Sequence, residues 1–210
     1  MRMCKLCHAW ELSQNLKQKE VNAVSAAENR RFEMTLAYHA APTLMGEKCG
    51  SLLSLSEEEF DIRGNTELFL GQMSKRGLRM RMIPGNGGRT LLYVYSVSLL
   101  EKRLKCKEVR RFLTGCGYPE NAAAEQYLDR LCERLRADSF PHEIGIFLDY
   151  PLEDVEGFIR NCGQGCKLCG MWKVYGDVER ARRTFERYRC CRTELCGQLE
   201  NGKRLCACVA

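Results

Sequence analysis

Between Phe140 and Tyr175 the hydrophobic pattern of this chain changes repeatedly, and that stretch limits the fold more than any other. Ile144, Ile146, Phe147 and Leu148 form a short apolar run, which predicts a strand covered on both faces. Tyr150-Pro151 breaks it, and proline suits the first position of a following helix because the N–H it lacks would go unpaired there anyway. Leu152, Val155, Phe158 and Ile159 share one helical face, with Glu153, Asp154 and Glu156 off it. Asn161 and Gly163 supply a stop. From Leu168 to Tyr175 aromatic and β-branched residues return and predict another strand. Gly176 closes it, and Asp177 caps a last clear helix carrying Val178, Ala181, Phe185 and Tyr188.

The flanks extend this alternation. Phe32, Leu36, His39 and Ala40 share a face of a helix starting near Glu28, which Pro42 is expected to limit. Leu52, Leu53 and Leu55 predict a first strand, and Ser56 with Glu59 reads as a capping box opening a helix through Phe60, Leu68, Phe69 and Met73, interrupted near Gly64-Asn65. Leu78, Met80 and Met82 alternate with arginines, and a Pro84–Gly88 loop joins them to a strand from Thr90 to Tyr95, so a hairpin is expected. Its glycines lie between strands rather than before a helix, which weakens any phosphate-cradle reading. Helices are expected over Ser98–Leu113 and Ala122–Arg136. The fold class is therefore α/β with α+β character: a single mixed sheet of about five strands, one pair of them a hairpin, flanked by helices. The domain reading is a polar arm over 1–27, one α/β domain over 28–192 and a cysteine-containing tail over 193–210.

With 210 residues, 45% hydrophobic and 29% charged, the chain can bury a substantial core and is not of the disordered class. No apolar stretch approaches a membrane span and the first residues lack a signal core, so a cytoplasmic location is expected. The net charge of +6 permits an acidic partner without requiring one. Arg180, Arg182, Arg183, Arg187, Arg189 and Arg192 are interspersed with Glu179 and Glu186; with no reading module beside them they describe a solvated helix face rather than a nucleic-acid surface.

Fourteen cysteines are many for a chain without an export signal, and eight fall from Cys162 onward. In a reducing compartment they are thiols, metal ligands or redox groups. Cys162-x3-Cys166-x2-Cys169 has the spacing of a radical S-adenosylmethionine cluster loop, but it falls too late in the chain for a barrel to follow. Cys4-x2-Cys7-His8 fits haem attachment, which requires export, and is rejected. Cys4-Lys5-Leu6-Cys7-x2-Trp10 nearly duplicates Cys166-Lys167-Leu168-Cys169-x2-Trp172. Two such dithiols, if they met, would make a tetrahedral site for zinc or iron from Cys4, Cys7, Cys166 and Cys169.

His39 and His142 are two of only three histidines. His142-Glu143 follows Pro141 at an element boundary, where the pair suits acid–base work or ligand binding and equally a purely structural hydrogen bond. Lys173 and Tyr175 alternate with Trp172 and Val174, so they share the face opposite the buried one.

Several words of the chain resemble a bacterial family without an assigned function. They are Tyr38–Leu44 (YHAAPTL), Phe140–Leu148 (FPHEIGIFL), Tyr150–Val155 with Gly157–Ile159, Lys167–Gly170, Trp172–Tyr175 and the Phe185/Tyr188 helix, together covering about 30 to 192. Asp149 stands where the family pattern has glycine. The resemblance adds Thr43 and Cys169 to the candidate ligand-binding residues, and it implies redox or iron physiology. The expected function is thus a small-ligand- or metal-binding accessory protein, its pocket lined by His39, His142, Glu143 and Cys169, with a redox protein as a conceivable partner. An enzyme using His142 and Glu143, and an interaction module with a basic helix face, are the alternatives.

Overall fold

A computed structural model describes residues 24–137 and 139–209. The Cys4/Cys7 dithiol and most of the expected N-terminal arm lie outside the described residues. Helix α1 (Ala26–Leu44) starts at Ser25, whose hydroxyl accepts from Glu28 N at 3.1 Å. It runs through Pro42 instead of ending before it. A proline in the last turn forfeits one intrahelical bond, and burial of Ala41, Pro42, Thr43 and Leu44 holds the turn in place.

Strand β1 (Gly50–Ser56), strand β2 (Leu78–Pro84) and strand β3 (Arg89–Ser96) form an antiparallel sheet of order β1–β3–β2. The expected hairpin is β2–β3, with Leu78 opposite Ser96 and Pro84 opposite Thr90. Helix α2 (Ile62–Met73) lies between β1 and β2. The Ser56/Glu59 capping box does not form: Ser56 stays in β1, and Asp61 caps α2 by accepting from Gly64 N at 2.9 Å. Gly64 and Asn65 do not interrupt the helix, because Asn65 is buried and bonded to Asn29, Glu28 and the Asp61 carbonyl.

Strand β3 is buried on both sides, and its alternation separates two cores. Leu92 and Val94 face the first with Leu53, Leu55, Leu78 and Met80, covered by α1, α2 and helix α8 (Val178–Glu200). Tyr93 and Tyr95 face the second, covered by helices α3 (Val97–Leu104), α4 (Lys107–Gly115), α5 (Ala124–Leu135) and α6 (Ile144–Phe147).

Two expectations are corrected. The apolar run at Ile144 is the one-turn helix α6, not a strand. Every face of that turn is buried, so it shows no period, and a continuous apolar run reads equally as a strand or a buried helical turn. The sheet is also not single. Helix α7 (Leu152–Arg160) leads to a separate two-stranded ribbon, β4 (Leu168–Cys169) and β5 (Lys173–Val174). A third small core of Trp172, Val174, Ala181, Phe185 and Tyr188 joins this ribbon to α8.

The stretch beyond residue 192 does not behave as a tail. Helix α8 continues to Glu200, helix α9 (Leu205–Cys208) follows, and Leu195, Leu199, Leu205 and Val209 are buried in the first core. Cysteines and glutamine diluted the apolar period there without breaking it.

Candidate functional site

Helix α6 is fixed to the sheet from below. Tyr93 Oη donates to the Phe147 carbonyl at 2.8 Å, and Gly50 allows this approach, because a Cβ there would lie 2.2 Å from that hydroxyl. The turn after α6 is a Schellman motif: Tyr150 N donates to the Gly145 carbonyl at 2.8 Å and Asp149 N to the Ile146 carbonyl at 3.1 Å. Asp149 occupies the left-handed position at φ 60°, where a glycine carries no Cβ penalty. Gly145 then lets α7 close onto α6, since a Cβ would meet Val155 at 2.7 Å.

One buried carboxylate sets the ribbon on this base. Asp154 accepts from the Trp172 indole N–H, Tyr175 N and Gly176 N, each at 2.7 Å. The indole is held on its other sides by Tyr150, stacked with centroids 4.8 Å apart, and by Phe185, edge-on at 4.5 Å. Between α6, α7 and the ribbon lies a cleft of about 340 Å³ walled by Phe140, Leu148, Tyr150, Phe158, Met171 and Trp172. His142 and Lys173 also line it, as does Asp154. His142 is exposed and sits edge-on to Phe158 at 5.0 Å. Lys173 Nζ donates to the Gly163 carbonyl at 2.7 Å and lies 5.9 Å from the Phe158 ring centre.

The expected site residues divide. His142 and Lys173 meet at this cleft. Glu143 turns away from it: buried, it accepts from Tyr118 Oη at 3.1 Å and pairs with the Arg134 guanidinium. Burial and the Glu143 charge push the Tyr118 phenol up. The carboxylate therefore ties its loop to α5 and is occupied in doing so. His39 opens onto another cavity, beside β1, with Thr35, Ser54, Phe60 and Arg89; partial burial and the Arg192 guanidinium lower its pKa. Thr43 is fully buried and shares a 2.9 Å hydrogen bond with Ser51. Cys169 is exposed on β4 opposite Lys173. Tyr175 packs on Gly157, and its buried hydroxyl has no hydrogen-bond partner among the described residues.

Cys162 sits at φ 48° just past the end of α7, exposed. Among the described residues no group of three or more His, Cys, Asp or Glu side chains has the arrangement of a metal site. The arginine face of α8 is partly neutralised, Arg182 by Glu179 at 3.7 Å, Arg189 by Glu186 at 2.8 Å and Arg187 by Glu47 at 3.4 Å.

The apolar period puts Asp154 on the polar side of α7 and so does not mark it. The available signal was Trp172, since a buried indole N–H needs an acceptor, and Asp154 shares a face with Phe158 four residues on. Lys48 carries no sequence signal. Its ammonium lies 5.5 Å from the Tyr150 ring centre and 5.7 Å from that of Tyr188, and burial lowers its pKa to about 8 against attraction from Asp149.

A family model described as "Protein of unknown function (DUF3793)" matches residues 36–208. The chain belongs to that family. The DUF3793 match takes in the cleft and also α8 and α9, so the C-terminal helices belong to the family domain rather than lying outside it. No curated protein and no solved structure matches the chain. No helix among the described residues is long and apolar enough to cross a membrane.

Proposed function

We propose that this DUF3793 chain is a small-molecule-binding protein whose site is the aromatic cleft between α6, α7 and the β4–β5 ribbon. The observation that carries the reading is the cleft's composition. Rings and aliphatic side chains make up most of its wall, and a few polar groups stand at fixed positions. That is the usual make-up of an organic ligand site, and 340 Å³ falls at the small end of the usual range. The floor is rigid, because Asp154, Gly145 and the Schellman turn leave Trp172 and Tyr150 little freedom. A preorganised wall loses little entropy on binding.

The donor set supports an organic ligand over a metal. Asp154 already accepts three N–H donors, and among the described residues no second carboxylate or thiol lines the cleft. An acid–base enzyme built on His142 and Glu143 has less support, since Glu143 is engaged by Tyr118 and Arg134.

The test is calorimetric titration with 2-naphthalenemethanol, an uncharged flat probe. Binding in the range of tens of micromolar is expected, about −6 kcal/mol, with at least a tenfold loss in Phe158→Ala at unchanged melting temperature. Absence of binding, or binding indifferent to Phe158→Ala, would overturn the reading.

A further inference from the structure

We propose that the natural ligand of the cleft is a flat aromatic acid, its ring against Phe158 and its carboxylate on Lys173. This rests on the cleft being a ligand site and adds the ligand's charge and shape. The shape follows from the walls. Phe140, Tyr150, Phe158 and Trp172 line one cavity of about 340 Å³, with His142 edge-on to Phe158. Flat π-systems fill such a space through offset and edge contacts that a branched aliphatic molecule cannot make.

The charge follows from an imbalance. Lys173 has no carboxylate within 4.0 Å among the described residues, so its ammonium is balanced only by the Gly163 carbonyl and the Phe158 ring. A single carbonyl leaves two of an ammonium's three donors unused. The one acid in the lining among the described residues, Asp154, is closed off by its three N–H donors. Among the described residues the cleft thus offers a cation without a counter-charge beside apolar walls. In such surroundings an ion pair made through a charge-assisted hydrogen bond is worth more than in water. A cationic ligand would face the ammonium with no free acid to receive it.

Matched probes test this on the full chain. 2-Naphthoate and 2-naphthalenemethanol share a ring system and differ in charge. By calorimetry near pH 7.5 in low salt, wild type should bind the carboxylate about tenfold more tightly, the effect of one added charged hydrogen bond. Lys173→Met should abolish the preference, the carboxylate and the alcohol then binding within twofold of each other. Lys173→Gln keeps an N–H for the Gly163 carbonyl and should behave the same way, so loss of that bond cannot mimic loss of charge. Equal affinities in wild type, or a preference that survives both substitutions, would overturn the anion assignment while the cleft stands. If neither probe binds, the cleft reading itself falls, and this assignment with it.

Discussion

The two ends of the sheet-and-helix body are built differently. In the first core, α1, α2 and α8 are long, and regular burial along them and across the sheet fixes their positions. Around the cleft the elements are a one-turn helix, a nine-residue helix and two strands of two residues each. Such short pieces cannot hold themselves by backbone bonds alone. A few specific interactions do the work there: the Asp154 clamp, the Tyr93–Phe147 bond and the aromatic stack on Trp172. Stability is spread over many residues in one region and concentrated in a few in the other, and the aromatic cleft lies in the second.

The most drastic way to break this contrast is to remove the chain after Arg192. That deletes Leu195, Leu199, Leu205 and Val209 from the first core. At roughly 1.5–3 kcal/mol for each buried aliphatic side chain the loss rivals the whole stability of a domain. The truncated chain should lose its cooperative urea transition by circular dichroism. A sharp transition near the wild-type midpoint would show that α1 and α2 form the core without α8.

A smaller, local break is expected from Asp154→Ala. It orphans the indole N–H and two ribbon amides, at a cost of about 3–5 kcal/mol. Amides over 168–176 should lose hydrogen-exchange protection while those of α1 keep theirs. Equal loss in both regions would mean that the two are one cooperative unit.

Lys48 touches both regions' boundary through Tyr150 and Tyr188, and its charge is held at a cost. Because the fold lowers its pKa from 10.5 to about 8, the unfolded chain binds the proton more tightly. Between those pH values this group makes stability rise with pH, and below about pH 8 the full cost is present. Lys48→Met should therefore stabilise by about 1–2 kcal/mol at pH 7, a gain that shrinks as the pH approaches 10.5. A gain that is independent of pH would refute the charge argument.

The mildest change is Asp149→Gly. It relieves a left-handed non-glycine residue but gives up the 3.7 Å pairing with Arg103 and the 3.3 Å acceptor for Cys49 N. A net gain of about 0.5 kcal/mol is expected from melting curves. It should grow in high salt, where the Arg103 pairing is screened.

The same division explains what could be read from the sequence. The β2–β3 hairpin, α1, α5, α7 and the start of α8 announce themselves by period and by turn residues. The Ile144 turn did not, because burial on every side erases the period that separates helix from strand. His142 is legible as a polar residue at an element boundary and Lys173 as one alternating with the buried Trp172 and Val174, and the structure brings both to one cleft. His39 and Glu143 stand out by chemical type and Thr43 by the family resemblance, but side-chain direction takes them elsewhere: to another groove, into a bond with Arg134 and into the core. Asp154 was hidden because an acid in a first helical turn ordinarily faces water.

The pairing of α1 with α8 and α9 has a consequence in time. The Arg30 guanidinium donates to the carbonyls of Leu199 and Lys203, and Arg204 reaches back to Glu33 at 2.9 Å and Asn29 at 2.6 Å. The first described helix is thus closed by the last two. On the ribosome, the part of α1 that α8 and α9 cover stays bare until residues 178–209 have been synthesised, although β1, α2 and β3 are there to pack on it earlier. Non-local closure of this kind slows folding and prolongs the life of sticky intermediates. Growing chains of this protein should accordingly be clients of co-translational chaperones.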